Sequence, residues 1–274
     1  MRIALGQIDT TVGDLSGNLE IMLRFARRAA EAGAELVVFP ELSLTGYPPR
    51  DLVEKPSFLE RTGKKLARLA AETAALPLTL IAGYAGRSGI ANGRPAANCA
   101  AVIGAGRVLF EQRKMLLPTY DVFDEGRNFQ PAESQSLVEI AGRRVALVIC
   151  EDAWNDRDAL ENGRYERNPV QELARQGAEI LIVINGSPYC MGKRELRRAI
   201  FAATARRHAI PVVYVNQVGG NDQLVFDGSS FALDATGRVI AAAASFAEDL
   251  VLADTGAGAG ERRENLPDEC EAVY

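Results

Sequence analysis

Histidine is almost missing from this chain, and its scarcity removes several mechanisms at once: one occurs in 274 residues. A Cys-His pair or a Ser-His-Asp triad would have to use His208, in ARRHAIP just before Pro211. At the end of a helix a histidine reads more simply as a partner of the C-terminal dipole. Cysteine is sparse too. Residues 99, 150, 190 and 270 are scattered, with no CxxC pair. That spacing excludes a disulfide framework, a zinc site and a dithiol redox site, and it points to a reducing cytoplasm. No apolar run approaches the ~18 residues of a membrane span. The opening MRIALGQIDT enters a strand-like pattern directly, so no signal peptide is expected. Net charge is -5 with a pI near 5.2. No basic patch interleaved with aromatics is present, which argues against nucleic acid. The most basic run, KRELRRAIFAATARRH at 193–208, reads as the solvated face of a helix.

What is present is apolar and patterned. Hydrophobic residues make up 47% of the chain, enough for one large core or two fused modules. Residues 2–8 read as a strand. A Gly13-Asp14 turn leads to a helix with apolar positions at Leu19, Met22, Leu23, Ala26 and Ala30, ending near Gly33. A short strand at 35–39 opens into PELSLTGYPP, where proline and glycine end regular structure. A helix over about 57–75, a strand at 78–82 and a hairpin from 99–103 to 108–112 follow.

The same succession then returns. AGAELVVF from Ala32 is matched by QGAEILIV from Gln176, ALPLTLIAG from Ala75 by AIPVVYVNQ from Ala209, and VIGAGRVLF from Val102 by ALDATGRVIA from Ala232. Three matches in one order predict two similar α/β halves. The apolar strands predict sheets covered on both faces, hence a four-layer α-β-β-α sandwich of two pseudo-symmetric halves. Glu41 and Ser187 follow equivalent strands and are expected to approach each other between the packed sheets. Residues 1–254 read as one domain. Residues 255–274, TGAGAG and then ERRENLPDECEAVY, read as an exit strap or the start of a linker.

Chemistry concentrates where strands end. VALVICED at 145–152 is a buried strand that stops at a thiol followed by two carboxylates. Open α/β sheets bind ligands beyond the carboxyl ends of their strands. Cys150 therefore sits where a nucleophile would, although a free cysteine is also an ordinary small core residue. If Cys150 is catalytic its base should be something other than histidine; a carboxylate raised in pKa by desolvation could serve, and Glu41 suits that task. Lys114, in QRKMLLP, would lower the thiol pKa and stabilise an oxyanion beside the Glu151 N–H. The alternatives are a Glu41 that caps a turn, a Lys114 that snorkels to the surface and a Glu125 paired with Arg127 or another neighbour. Trp154 reads as packing.

FPEL, KMLLP and CED in that order resemble the nitrilase (carbon–nitrogen hydrolase) superfamily. The resemblance implies Glu41 as general base, Lys114 as oxyanion stabiliser, Cys150 as nucleophile and Glu125 as a supporting glutamate. LTGYPPRDL, LPTYDVFDEGRNF, CEDAW and GSPYCMGKRELR are similar to the glutaminase domains of glutamine-dependent NAD synthetases. By that similarity Tyr47, Tyr120, Glu151, Ser187 and Lys193 form a glutamine pocket, with Glu151 toward the α-ammonium and Lys193 or a neighbouring arginine toward the α-carboxylate. Ser187 also reads as a cap for the following helix. The amide step would need no metal or other cofactor. ATP and Mg would serve a C-terminal synthetase domain, of which this sequence contains no phosphate-binding segment. Assembly as a homo-oligomer is a further implication. Two rivals stand beside the glutaminase reading: a free-standing ω-amidase acting on a small amide, and a catalytically idle docking module. The polar stretch NDRDALENGRYERN, 155–168, is expected to be a lid or an interface.

Overall fold

Alternation along each strand assigns its side chains to layers. In β1 (Arg2–Gln7), Ile3 and Leu5 enter a core between two sheets, whereas Ala4 joins a second core beneath helices. The computed structural model of the chain describes residues 1–155 and 165–265. The first half continues through α1 (Leu15–Glu31), β2 (Leu36–Val38), α2 (Pro56–Glu72), β3 (Thr79–Arg87), β4 (Ala96–Gly104) and β5 (Arg107–Arg113). The short α3 (Glu125–Asn128) and β6 (Val138–Ile140) lead into the second half. There β7 (Arg143–Ile149), α4 (Pro169–Arg175), β8 (Ile180–Asn185), α5 (Lys193–His208) and β9 (Val212–Asn216) follow, then the hairpin β10 (Val218–Asn221) and β11 (Leu224–Asp227). The chain closes with β12 (Phe231–Leu233), β13 (Val239–Ala242), β14 (Asp249–Asp254) and β15 (Ala259–Gly260).

One sheet has the order β15-β14-β1-β2-β3-β4-β5 and the other β13-β12-β9-β8-β7-β6. In each, three parallel strands (β1, β2, β3 and β7, β8, β9) are extended by an antiparallel hairpin (β4–β5 and β12–β13). The repeated sequence segments occupy matching places. Ile3, Val38 and Ile81 of the first sheet interleave with Leu147, Ile182 and Val213 of the second. Outside, α1 packs on the first sheet through Leu19, Met22 and Ala26, and Phe201 of α5 packs on the second. The four-layer sandwich is thus the observed architecture.

Three local differences from the sequence reading have physical causes. β3 runs on to Arg87 because β4 pairs with it as far as Ala96. Cys150 lies outside its strand, opening a 3-10 turn (Cys150–Ala153) at φ +44°. Helix α5 is not simply a solvated face, since Arg197 is buried against Asp227. His208 does close α5, as read.

Past Asp254 the chain doubles back. Ala259 and Gly260 pair with β14, and Glu261 and Arg263 bond the backbone of Ala242 in β13, so this segment clasps both sheets at one edge. Of the 155–168 stretch, residues 156–164 lie outside the described residues, as does Cys270. Its two ends meet at buried Asn155, whose Nδ2 donates to Tyr165 O and Arg167 O. No helix among the described residues is long and apolar enough to cross a membrane.

Candidate active site

Beyond β2 the chain bends sharply over β3. A Cβ on Gly83 would lie 2.3 Å from Leu42 N, so only glycine lets β3 pass beneath this loop. The bend turns Glu41 inward, where it is fully buried. Its Oε1 accepts from Lys114 Nζ and from Asn98 Nδ2, both at 2.7 Å. Its Oε2 accepts from Gly186 N at 2.8 Å, a contact from the other sheet. Glu41 and the start of the Ser187 loop therefore meet as the repeat predicted. Gly186 in turn lies flat against Tyr47, whose ring a Cβ there would approach to 2.9 Å.

Lys114 follows the last residue of β5, and its Nζ reaches both Glu41 and Glu125 Oε1, the latter at 2.8 Å. Tyr47 OH donates to the same Glu125 oxygen at 2.9 Å. Glu125 pairs with this lysine rather than with Arg127. Burial works to lower the Lys114 pKa, but the charges of Glu125 and Glu41 outweigh it and hold the ammonium well above its ordinary range. Burial pushes the Glu125 carboxyl up, with Lys114 opposing. Such a group of charges survives burial only because each member is paired and hydrogen-bonded.

Cys150 is 7% exposed. A left-handed φ at a residue with a Cβ costs about 1–2 kcal/mol, a strain of the kind found at functional positions. Burial raises the thiol pKa well above normal, the Glu41 charge raises it further, and Lys114 only partly opposes them. Lys114 thus lowers the thiol pKa, as expected, but by less than burial and the Glu41 charge raise it.

Around this centre stand three bonded groups. Glu151 accepts from Tyr120 OH at 2.9 Å and from Tyr165 OH at 3.0 Å. Ser187 does not cap α5, whose N-cap is Gly192; its N–H donates to Asn216 Oδ1 and its Oγ accepts from Arg197. Lys193 Nζ lies 5.9 Å from the centre of the Trp154 ring, and its pKa is pushed down by burial and then by the Arg197 charge. Arg197 itself is occupied by both oxygens of Asp227 and by Ser187 O and Pro188 O. It is not free to replace Lys193.

Sequence reasoning missed Asn98, Arg197, Asn216, Tyr165 and Asp152. Asn98 had a signal, a polar residue inside the apolar run AANCAAVIG of β4. Arg197 stood in a quoted motif but was read by its charge. Asp152 is fully buried, with Oδ1 accepting from Met115 N at 3.0 Å and Leu116 N at 2.7 Å. A cavity of about 570 Å³ opens behind Tyr47 and Glu125, walled also by Arg50, Phe123 and Asp124. Cys150 is not in its wall.

Carbon-nitrogen hydrolase sequences match residues 2–262. The glutamine-dependent NAD(+) synthetase of Synechocystis sp. is 38% identical over 265 residues, 94% of this chain and 47% of its own. That of Thermotoga maritima is 38% identical over 258 residues, 93% of this chain and 42% of its own. The solved glutamine-dependent NAD+ synthetase of Acinetobacter baumannii, in complex with ADP, matches with a TM-score of 0.83 at 33% identity, covering 97% of this chain and 48% of that one. An amidase from Nesterenkonia sp. AN1 shares the fold, with a TM-score of 0.77 at 24% identity over 93% of this chain and 92% of its own. The chain spans under half the length of the curated synthetases named here. Strand-end thiol, buried glutamates and lysine, and sandwich fold all fall within the matched residues: the chain belongs to the carbon-nitrogen hydrolase family.

Proposed function

We propose that this domain hydrolyses the side-chain amide of glutamine, and that it is the glutaminase part of a glutamine-dependent NAD synthetase. The observation that carries the reading is the buried Glu41–Lys114–Glu125 hydrogen-bond chain within electrostatic reach of the Cys150 thiol. In this reading Cys150 Sγ adds to the amide carbon while Glu41 takes the thiol proton, which a carboxylate can do only when held in place, here by Asn98 and Gly186. Lys114 Nζ and the Glu151 N–H receive the oxyanion. The C–N bond breaks as Glu41 returns the proton to nitrogen, and ammonia leaves a thioester. Water then gives a proton to Glu41 and adds to the acyl carbon, and glutamate departs as the thiol is restored. Glu125 and Tyr47 hold the lysine in place. No step needs a metal or cofactor.

Glu151, framed by Tyr120 and Tyr165, suits the substrate α-ammonium, and Lys193 its α-carboxylate. Tyr47 and Ser187 complete the pocket. The synthetases named above are about twice as long as this chain, which supports a second domain that uses ATP and Mg to activate deamido-NAD for the released ammonia. Residues 1–254 would then be the glutaminase domain and 255–274 the strap leading toward its partner, in a cytoplasmic homo-oligomer. Ammonia release from glutamine, asparagine and small ω-amides tests the reading. Glutamine should be preferred and Cys150→Ala should be silent. Continued release by that variant overturns the chemistry, and preference for a small amide assigns the free-standing amidase instead.

A further inference from the structure

Asp152 takes no part in the chemistry just described, yet its buried carboxylate gathers donors from both sides of the site. Oδ1 accepts the N–H groups of Met115 and Leu116, at 3.0 and 2.7 Å. Oδ2 accepts from Gln135 Nε2 at 2.8 Å and, at a longer 3.4 Å, from Ile149 N. Met115 and Leu116 directly follow Lys114, and Ile149 directly precedes Cys150. The segment after Arg113 has left β5, so these two buried N–H groups have no ladder partner and would be costly without an acceptor. The acceptor they find belongs to the turn that carries the thiol.

We propose that Asp152 is a positioning residue for the amide reaction, setting where Lys114 Nζ stands relative to Cys150 Sγ by tying the lysine's backbone to the nucleophile's turn. The inference rests on the roles given above to Lys114 and Cys150. A carboxylate is required because both of its oxygens accept. An asparagine would turn an NH2 toward one pair of donors whichever way it flipped.

The test compares wild type, Cys150→Ala and Asp152→Asn in the full 274-residue chain. Ammonia release from glutamine gives kcat and KM, and peptide-resolved mass spectrometry gives the rate at which iodoacetamide alkylates Cys150. Misplacing a catalytic group by about 1 Å can cost about 100-fold. Asp152→Asn should therefore lose about 100-fold in kcat with KM within about threefold. Alkylation forms no oxyanion, so it should fall far less than turnover. A folded Asp152→Asn protein with wild-type kcat, or one whose alkylation falls in step with turnover, overturns the inference. If Asp152→Asn does not fold, Gln135→Leu decides. Removing that donor should lower kcat several-fold at constant KM, and an unchanged kcat overturns the proposal. Wild type silent on glutamine would sink the functional reading and this inference together. An active wild type beside an equally active Asp152→Asn would sink only the inference.

Discussion

At the end of β1 the chain runs on through Ile8 and Asp9; at the end of β7, the matching strand of the other sheet, it runs on through Cys150 and Glu151. After β5 comes Lys114, and after its counterpart β13 comes Ala243. After β2 the loop delivers Glu41, and after β8 it delivers Gly186 and Ser187, whose backbone receives that glutamate. Scaffold is repeated but chemistry is not. One half brings carboxylate and amine, the other brings the thiol, and neither holds a complete set. Packing the two sheets face to face is therefore what assembles the proposed site, and on that proposal the inter-sheet core of Ile3, Val38, Leu147 and Ile182 is as much a condition of chemistry as of stability.

The comparison breaks most completely at the thiol. Cys150→Ala should lower kcat on glutamine by about 10⁴-fold or more, as loss of a nucleophile does elsewhere. Adding Ile8→Cys to that variant should restore nothing in the same ammonia assay, because the strand end it copies lacks the partners. Glu41→Gln removes the base while keeping its shape, and a loss of about 10²–10⁴-fold is expected. Lys114→Met should cost about 10²–10³-fold, the range for one oxyanion donor.

The matching outer helices α2 and α5 differ in the same way. α2 buries Phe58, Leu59, Thr62, Leu66, Leu69 and Ala70, whereas α5 buries Arg197 on the side that meets Ser187. Arg197→Met strands Asp227 in the interior and should cost about 3–5 kcal/mol, measured by urea unfolding. Removing an apolar contact of α2, by Leu66→Ala, should cost about 2–5 kcal/mol without altering KM beyond the folded fraction.

The smallest effect expected is on pH dependence. Burial raises Asp152 from 3.8 to about 6, against the pull of the Leu116 N–H and of Gln135. Its protonated form is favoured by folding. The stability it contributes is complete below about pH 4 and is lost as pH rises through about 6, by an amount on the order of 1–3 kcal/mol. Urea midpoints between pH 4 and 7 should fall for wild type and fall less steeply for Asp152→Asn. Equal slopes would contradict the assignment.

Much of this was legible in the chain. The sandwich could be read because AGAELVVF and QGAEILIV repeat in register with the layers they form, and Glu41, Lys114 and Cys150 because strand ends mark ligand sites. What stayed hidden was the buried polar support. Asp152 bonds residues 115 and 116, and Arg197 bonds Asp227, pairings between distant segments that no local pattern encodes. The return of β14 to lie beside β1 is of the same kind. The strength of the opposing burial at the thiol was hidden too, because a nearby cation is visible in a sequence while the degree of desolvation is not.

The account's central claim is that a carboxylate from one half and a thiol from the other act as one unit. The direct measurement is kcat for ammonia release by Glu41→Gln, Cys150→Ala and the double variant. Groups that work together lose their function together, so the double variant should be no slower than Cys150→Ala alone. Losses that multiply would contradict it.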